Sequence, residues 1–370
     1  MRIALEHQAI NLAQGRPDFP TSPAVKQAAI DAINHDHNQY SVTWGLAELR
    51  EAIARHVKER HGLTVDPETE ITITCGVTEA IVAAMLALVE VGDEVIVIEP
   101  AHENYVPAVY FASGTPRFVT LRPPGYALPL DELQSTINQR TRAIILNTPH
   151  NPSGHVFTKE ELLAILNLAD RHGIYVVTDE IYDHLYYEPS RHVAPSTLAP
   201  NWTSLVITGG LSKIYAATGW RLGYVLASPE VTAAIRTVHD YLTICAPTPF
   251  QYAAVTALGL PETYYAELRA VFLQRRDLTV RMLTQSGFEP YPPQGAYYLL
   301  AGFAPWEHQG DSSSFTKRLI AEAKVAVVPG SAFYYQATDL GSRLVRVAFA
   351  KTDQVLQEAG ENLRMAFHQR

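Results

Sequence analysis

One lysine and one arginine, Lys213 and Arg221, lie eight positions apart, just beyond a short apolar run. The run at residues 204–208 is typical of a buried strand, and the glycine pair Gly209-Gly210 allows a sharp turn that carries Lys213 into a cleft. A partly desolvated lysine loses affinity for its proton, so its amine can form a Schiff base with a carbonyl group. Since Arg221 could hold a phosphate, the two residues indicate an aldehyde cofactor with a phosphate tail. A solvated loop lysine with a surface arginine is the alternative.

Polar residues follow three other strand-like runs, and ligands of doubly wound sheets lie outside the carboxyl ends of the strands. Gly76, Val77 and Thr78 open a helix whose free amides could bind phosphate, although a plain helix cap gives the same pattern. Asn151 lies in an Asn-Pro turn, a type of turn that is common without any ligand. Asp179 could pair with a protonated pyridine nitrogen or could cap a helix. The shared position of these residues at successive strand ends favours one cofactor site.

Strand-like runs alternate with helical patterns between about residues 70 and 226. This order predicts an α/β domain with right-handed crossovers and a mostly parallel sheet. Several runs are apolar almost throughout, as in strands that are covered on both faces. The helical patterns cover 78–89 and Lys159–His172, and Thr158 with Glu161 forms a capping box for the second. The predicted strands are 71–75, 94–98, 116–120, 143–147, 174–178, 204–208 and 222–227.

Beyond about residue 261 the pattern changes to long helices, predicted over 261–285 and 313–323. Strands are predicted between and after them at 295–300, 325–328 and 343–349, an α+β layout that indicates a second, smaller domain. The N-terminal segment is rich in turn formers and is assigned to that domain or to its interface. The predicted domains are a large cofactor-binding domain of residues 46–260 and a small domain of residues 1–45 with 261–370.

Composition excludes several classes of partner. The chain of 370 residues has a net charge of −9 and no basic run, which argues against nucleic-acid binding. No apolar run approaches the roughly 20 residues that span a bilayer, and the first residues show no signal-peptide core. Cys75 and Cys245 lie in separate segments, with neither a disulfide framework nor metal-ligand spacing, so no metal is predicted. A reduced, cytoplasmic setting is the expectation.

The sequence resembles the class I and II aminotransferases, which are fold-type-I pyridoxal phosphate enzymes, and most of all their kynurenine, glutamine and methionine aminotransferase branch. The lysine-to-arginine block GGLSKIYAATGWRLGY and the turn TPHNPSGHVF are highly specific in combination. The resemblance runs nearly from end to end. Its other segments are LAQGRPDFP, QYSVTWGLAELREAI, VVTDEIYDHL, CAPTPFQ, GAYYLL, VAVVPGSAFY and RLVRVAFAK.

The resemblance implies three catalytic residues, Lys213, Asp179 and Tyr182, and a cofactor-binding residue, Asn151. Lys213 would carry the internal aldimine with pyridoxal 5'-phosphate and would then move a proton between the substrate carbon and the cofactor C4′. Asp179 would keep the cofactor's ring nitrogen protonated. Asn151 and Tyr182 would donate hydrogen bonds to the phenolate oxygen and so tune the pKa of the aldimine.

The resemblance also implies contacts to the cofactor phosphate and to the substrate. Arg346 would hold the substrate α-carboxylate as a two-pronged clamp with help from the Gly15 amide, although a strand-edge arginine is the alternative. Trp44 would help to wall the substrate pocket. Tyr40 would reach the phosphate of the neighbouring subunit, so a homodimer with shared active sites is expected. The implied phosphate ligands of the same chain are Gly76, Val77, Thr78, Ser212 and Arg221.

Three positions depart from the family pattern. Gly210 stands where the family usually has a serine or threonine, so one phosphate hydroxyl is missing. His102 stands where the family places an aromatic ring against the cofactor, and because histidine titrates we expect pH-sensitive activity if it stacks there. Arg16 follows Gly15 where close relatives often have an apolar residue. It could be a solvated charge or could pair with an acidic substrate side chain.

The predicted function is reversible transamination between an L-amino acid and a 2-oxo acid, with ping-pong kinetics. Trp44, Tyr105 and Tyr182 near the expected pocket favour neutral or aromatic amino donors, with 2-oxoglutarate or pyruvate as acceptors. A carbon-sulfur β-lyase on the same scaffold is the alternative enzyme. A regulatory module that binds the cofactor without turnover is a third hypothesis, which the lack of a basic helix-turn-helix extension disfavours.

Overall fold

The fold is built around a seven-stranded sheet, in a computed structural model that describes residues 2–199, 202–303 and 310–367. Numbered in chain order, the strands of the described ranges are β1 (Ile10–Asn11), β2 (Ile71–Thr74), β3 (Glu94–Glu99), β4 (Thr115–Thr120), β5 (Thr141–Asn147), β6 (Tyr175–Asp179), β7 (Leu205–Gly210), β8 (Gly223–Leu226), β9 (Glu289–Pro290), β10 (Tyr298–Gly302), β11 (Val325–Ala326), β12 (Val328–Pro329) and β13 (Leu344–Ala348).

The large sheet has the strand order β2-β8-β7-β6-β5-β3-β4. Strand β8 runs antiparallel to both of its neighbours, and the other pairs are parallel. Each strand predicted between residues 70 and 227 is present to within two residues at either end. The prediction of an α/β domain with a mostly parallel sheet is confirmed.

Helices cover both faces of this sheet. The helices of the described ranges are, in chain order, α1 (Arg2–Glu6), α2 (Pro23–Asn34), α3 (Ala47–His61), α4 (Val77–Leu88), α5 (Tyr105–Phe111), α6 (Leu130–Thr136), α7 (Lys159–His172), α8 (Pro229–Thr243), α9 (Thr248–Leu258), α10 (Glu262–Gln285), α11 (Ser312–Arg318), α12 (Thr338–Gly341) and α13 (Asp353–Phe367). In β3, Val95 and Val97 pack into one apolar core and Ile96 and Ile98 into the other, so the strand is buried on both faces. None of the helices in the described ranges has the length and apolar character needed to cross a membrane.

The capping box predicted for α7 is present. Thr158 Oγ1 accepts a hydrogen bond from the Glu161 amide at 3.2 Å, and Glu161 Oε2 accepts one from the Thr158 amide at 2.8 Å. Two donors that the first turn of a helix leaves unpaired are thus satisfied. The helix then ends at Gly173, which adopts a left-handed conformation.

The C-terminal part of the chain forms a smaller antiparallel sheet in the order β12-β13-β10-β9. The single strand predicted at 325–328 is two strands here, because β11 pairs with β1 whereas β12 pairs with β13. The helix predicted at 313–323 is α11 followed by a π-helical turn over Leu319–Ala323. The β1–β11 pairing ties the N-terminal segment to this region, while α2 packs against α9. The domain limits at residues 45 and 260 stay a prediction.

Candidate active site

A cavity of about 600 Å³ opens where the parallel strands of the large sheet end. The β5–β6 and β6–β7 registers place Asn147, Asp179 and Thr208 side by side at this edge. The residues that line the cavity are Val77, Thr78, Ile81, His102, Asn104, Tyr105, Asn147, Asn151, Asp179, Ile181, Tyr182, Ser212, Lys213, Arg221 and Tyr298. Residues that were predicted separately, at the ends of different strands, therefore line one cavity.

Asp179, the last residue of β6, is 3% exposed. Its Oδ2 accepts a hydrogen bond from the Tyr105 hydroxyl at 2.7 Å, and its Oδ1 accepts one from the Ile181 amide at 3.1 Å. Burial raises the pKa of Asp179 to about 6, although the Tyr105 hydroxyl, the Ile181 amide and the Lys213 cation oppose that rise. A carboxyl group held in this way is suited to pair with a cation that enters the cavity.

Lys213 projects into the cavity from the turn after β7. Its Nζ donates a hydrogen bond to the Gly15 carbonyl at 3.3 Å, and the Tyr297 hydroxyl donates to the same oxygen at 2.9 Å. The predicted substrate residue Gly15 therefore lies beside the predicted catalytic amine. An amine at this position can reach a carbonyl group in the cavity.

Anion-binding groups gather at the start of α4. The N-cap residue Gly76 has φ +84° and offers no side-chain acceptor to the first amides of the helix. The Arg221 guanidinium lies so close that a Cβ added to Gly76 would stand 2.5 Å from its Nη2. Together with the Ser212 hydroxyl on the cavity wall, these donors have the chemistry of a phosphate site.

Gly210 is one of the departures from the family pattern. The atoms around it leave little room for a side chain. A Cβ added there would lie 2.8 Å from Ile181 Cδ1 and 3.1 Å from the Leu222 carbonyl oxygen. Both contacts are closer than ordinary van der Waals contact, and one of them is to backbone. A serine or threonine hydroxyl does not fit at this position without movement of its neighbours.

Arg346 of β13 lies behind the lining and is 6% exposed. Its Nη1 donates to Asn151 Oδ1 at 3.1 Å and its Nη2 donates to the Ala13 carbonyl at 3.0 Å. The guanidinium lies over the rings of Tyr298 and Phe333, at 4.4 and 4.7 Å from their centroids. Its buried Nε has no hydrogen-bond partner among the described residues. The arginine thus keeps a donor for a ligand carboxylate.

The Asn-Pro turn sets the position of Asn151. The Asn151 amide donates to Asn147 Oδ1 at 2.7 Å, and the Asn147 side-chain amide donates to the Asp179 carbonyl at 2.8 Å. The Asn151–Pro152 peptide bond is cis, as the resemblance implies. The turn is therefore tied directly to the strand end that carries Asp179.

His102 lines the cavity with its ring edge-on to Tyr105, the centroids being 5.5 Å apart. Burial lowers the pKa of His102 to about 3, and the cations Arg346 and Lys213 lower it further. The ring is therefore neutral throughout the physiological range. The low pKa argues against titration of His102 near neutral pH. The pH-sensitive activity and the stacking role both stay predictions.

Tyr40, Trp44 and Arg16 do not line the cavity. Tyr40 is 77% exposed on the surface. The Trp44 ring lies against the Arg236 guanidinium, 4.8 Å from ring centroid to Cζ, and is absent from the cavity wall. Arg16 is exposed, and its carbonyl accepts from Lys351 Nζ at 3.1 Å. The structure does not bring Tyr40 or Trp44 into the cavity of their own chain.

Sequence reasoning missed two residues that shape the site. Asn147 ends β5, so the strand-end argument that identified Asp179 could have found it. Tyr298 begins β10, and its hydroxyl lies 3.4 Å from the Tyr182 hydroxyl. Tyr298 lies in the segment GAYYLL, but that segment alone does not place it in the cavity, because its position depends on pairing between distant strands. The bond from Tyr105 to Asp179 was missed as well.

The residues present fit a phosphorylated pyridine aldehyde. Uncapped helix amides with Arg221 suit the phosphate, Asp179 suits a protonated ring nitrogen, and Lys213 suits the aldehyde carbon. The buried, unpartnered Nε of Arg346 adds a donor for a second, carboxylate-bearing ligand. The cavity thus offers separate positions for a cofactor and for a substrate.

The chain matches the family model described as aminotransferase class I and II over residues 7–363. It is 35% identical to the methionine aminotransferase of Escherichia coli, over 98% of this chain and 93% of that protein. It is 31% identical to the human kynurenine–oxoglutarate transaminase 1, over 98% and 94% of the two chains. The solved structure of N-succinyldiaminopimelate aminotransferase from Mycobacterium tuberculosis superposes with a TM-score of 0.96, at 38% identity over 99% of this chain and 95% of that chain.

Proposed function

The chain belongs to the family of class I and II aminotransferases, and on that premise we propose that the cavity at the sheet edge is its active site and that neutral or aromatic L-amino acids are its preferred donors. The enzyme is a pyridoxal phosphate-dependent aminotransferase that moves an amino group from an amino acid to a 2-oxo acid. The lining residues support the proposed assignment of roles, with Lys213 and Asp179 at its centre.

Lys213 would hold the cofactor aldehyde before substrate arrives and would afterwards act as the base. Bound pyridoxal phosphate supplies an electron sink that acidifies the substrate α-carbon. The Lys213 amine would then move a proton between that carbon and the cofactor C4′ position. Its hydrogen bond to the Gly15 carbonyl holds the amine at the substrate side of the cavity.

Asp179 would keep a proton on the cofactor's ring nitrogen, and the Tyr105 hydroxyl fixes the orientation of that carboxylate. Asn151 and Tyr182, which both line the cavity, would donate hydrogen bonds to the phenolate oxygen. Val77, Thr78, Ser212 and Arg221 would hold the phosphate, with Gly76 leaving room for the arginine. His102 would pack against the ring as a neutral group.

Arg346 binds the α-carboxylate of either substrate. Its guanidinium is oriented by Asn151 and Ala13 and enclosed by two aromatic rings, so little side-chain entropy is lost when a carboxylate binds. The same clamp serves the amino acid and the oxo acid because both carry that carboxylate.

The preference for neutral or aromatic donors rests on the walls of the cavity. Within the described residues, Lys213 and Arg221 are the cations that line it, and both have roles toward the cofactor. Arg16, the candidate partner of an acidic side chain, is exposed and lies outside the lining. Tyr105, Tyr182 and Tyr298 supply aromatic surface instead. An acidic side chain would thus be buried without a matching cation.

A homodimer completes the proposal. Tyr40 and Val42 are exposed, and their loop is fastened to the α8–α9 region through Thr248 Oγ1, which donates to the Gln39 carbonyl at 2.7 Å. Tyr241, Leu242 and Ile244 are exposed in that same region. We call these five exposed side chains, Tyr40, Val42, Tyr241, Leu242 and Ile244, the apolar patch. A second copy of the chain seated on this patch would bring Tyr40 toward the neighbouring cofactor phosphate.

Single-turnover reactions test the substrate proposal. The purified enzyme is mixed with methionine, phenylalanine, kynurenine, aspartate or glutamate, and the loss of its cofactor absorbance band is followed without any acceptor. Neutral and aromatic donors should react at least about tenfold faster than the acidic ones, a difference of about 1.4 kcal/mol. Faster reaction of aspartate would contradict the proposed specificity. Pyruvate and ammonia released from cystathionine without an oxo acid would instead indicate the β-lyase.

A further inference from the structure

Two imidazoles and a carboxylate converge behind the segment that carries Asp179 and Tyr182. His56 comes from α3, whereas Asp183 and His184 follow Tyr182 directly. One ligand atom from each of the three lies within 4.8 Å of the others. None of these three side chains lines the catalytic cavity.

The distances match those between the ligands of a single ion. His56 Nε2 and His184 Nε2 are 3.3 Å apart, and Asp183 Oδ2 is 3.7 Å from His184 Nε2. Two nitrogens bound to a tetrahedral zinc ion at about 2.0–2.1 Å lie about 3.3–3.4 Å from each other. The two rings therefore already have the spacing that zinc requires.

The surroundings hold the ligands in place. The His184 ring stacks on Tyr265 with 4.1 Å between centroids, and the His184 amide donates to Asp183 Oδ1 at 2.8 Å. His61 Nε2 lies 3.9 Å from Asp183 Oδ2. Contacts of this kind, between a metal ligand and a neighbouring protein group, orient metal-binding side chains in proteins.

A route from solvent leads to one of the ligands. His56 lies in the wall of an open groove of about 900 Å³ that Tyr265, Arg60 and Glu262 also line. The nearby positive charge of Arg60 is compensated by its ion pair with Glu262 at 2.5 Å. A hydrated cation could enter by the groove and keep water in its remaining coordination positions.

The geometry points to a divalent transition-metal site of the zinc class, formed by His56 Nε2, His184 Nε2 and Asp183 Oδ2 and completed by water. Two imidazoles with one carboxylate suit zinc, cobalt or nickel, whereas calcium and magnesium prefer oxygen ligands. A bound ion would join α3 to the chain segment that begins at the catalytic Asp179. This site is independent of the proposed substrate and of the roles assigned to the cavity residues.

Titration of the holoenzyme with zinc chloride tests the site. The protein is treated with a chelator and dialysed, and heat of binding is recorded for the wild type and for His56→Gln, Asp183→Asn and His172→Gln. His172 is an exposed histidine at the end of α7 and serves as the matched control. We expect one strong site per chain, weakened about tenfold or more by either ligand substitution and unchanged by His172→Gln.

Cobalt chloride gives a second readout. Cobalt in this site should show the visible absorption of a low-coordinate ion in the wild type and in His172→Gln, and that absorption should disappear in His56→Gln and Asp183→Asn. Circular dichroism and cofactor content check that the variants are folded. Equal zinc affinity in the wild type and the two ligand variants would overturn the proposal, and so would the absence of a strong site in the wild type. The 3.3 Å contact would then be a hydrogen bond between the two imidazoles.

Discussion

Asp179 is a carboxyl group at the end of β6 whose two oxygens accept hydrogen bonds from Tyr105 and from the Ile181 amide. In the cofactor-free protein, burial raises its pKa to about 6 from a usual value of 3.8. A group whose pKa is higher in the folded than in the unfolded state holds its proton more tightly when folded. The stability that it contributes is therefore greatest at low pH and declines as the pH rises from about 4 through about 6.

We expect this single group to lower the free energy of unfolding of the cofactor-free enzyme by about 3 kcal/mol across that window. Asp179→Asn keeps the shape of the side chain but cannot ionise, so it should remove this part of the pH dependence. Urea unfolding of the cofactor-free wild type and variant at a series of pH values measures the difference. Parallel stability curves for the two proteins would show that Asp179 does not have the raised pKa.

Arg346 carries the substrate-binding prediction. Arg346→Lys keeps the charge but loses the planar, two-pronged geometry that Asn151 and Ala13 orient. We expect kcat/KM for methionine to fall at least about 30-fold, or about 2 kcal/mol, with unchanged cofactor content. Steady-state kinetics of the wild type and the variant, at the same fixed concentration of the oxo-acid acceptor, provide the measurement. A variant with wild-type kcat/KM would show that the carboxylate binds elsewhere.

The start of α4 decides how tightly the phosphate is held. Gly76→Ala places a Cβ 2.5 Å from Arg221 Nη2, so the guanidinium has to move away from the helix amides. We expect the dissociation constant for pyridoxal phosphate to rise at least about tenfold, as for the loss of a charged hydrogen bond. Equilibrium dialysis of the cofactor measures it.

Gly92→Ala is the matched control for that substitution. Gly92 has φ +97°, close to the +84° of Gly76, but a Cβ there meets no atom within 4 Å. Both variants place an alanine at positive φ, which costs on the order of 1–3 kcal/mol in backbone strain. If Gly92→Ala loses as much cofactor as Gly76→Ala, the effect is one of general stability and not of Arg221.

At the level of elements, the sequence predicts best what depends on neighbours in the chain. The strands of the large sheet are apolar runs, and the α7 cap is a four-residue pattern, so both were predicted nearly as they are. Elements whose pairing depends on residues distant in the chain are harder to predict from the sequence. The split of residues 325–329 between β11 and β12 depends on two different partner strands.

The distinction between features set by neighbours in the chain and features set by long-range pairing also applies to the cavity residues. Asp179, Lys213 and Arg221 follow strands of the large sheet, so their convergence was predictable from strand order. Tyr298 reaches the cavity from a strand of the other sheet, and the Tyr105 bond to Asp179 spans 74 positions of the chain. The low pKa of His102 follows from burial, which a single residue in a sequence does not reveal.

At the scale of the whole molecule, the apolar patch is expected to be covered by a second chain. Leu242→Glu places a charge in the patch and should weaken dimerisation at least about tenfold. If Tyr40 acts across the interface, the variant should also bind the cofactor less tightly. Analytical ultracentrifugation and cofactor dialysis measure the two effects. Met365→Glu, at an exposed position of α13 outside the patch, is the control. A fully active monomer would contradict the shared site.

Lys213 is the residue on which the account of the site depends most. The direct measurement is borohydride reduction of the holoenzyme followed by mass spectrometry of its peptides, with Lys351→Gln as a control. Lys351 is the competing candidate, because burial lowers its pKa and its Nζ lies 3.1 Å from the Arg16 carbonyl. We predict the cofactor's mass on the peptide that contains Lys213, unchanged by Lys351→Gln and abolished by Lys213→Ala. Label on any other lysine, or label that persists in Lys213→Ala, would contradict the assignment.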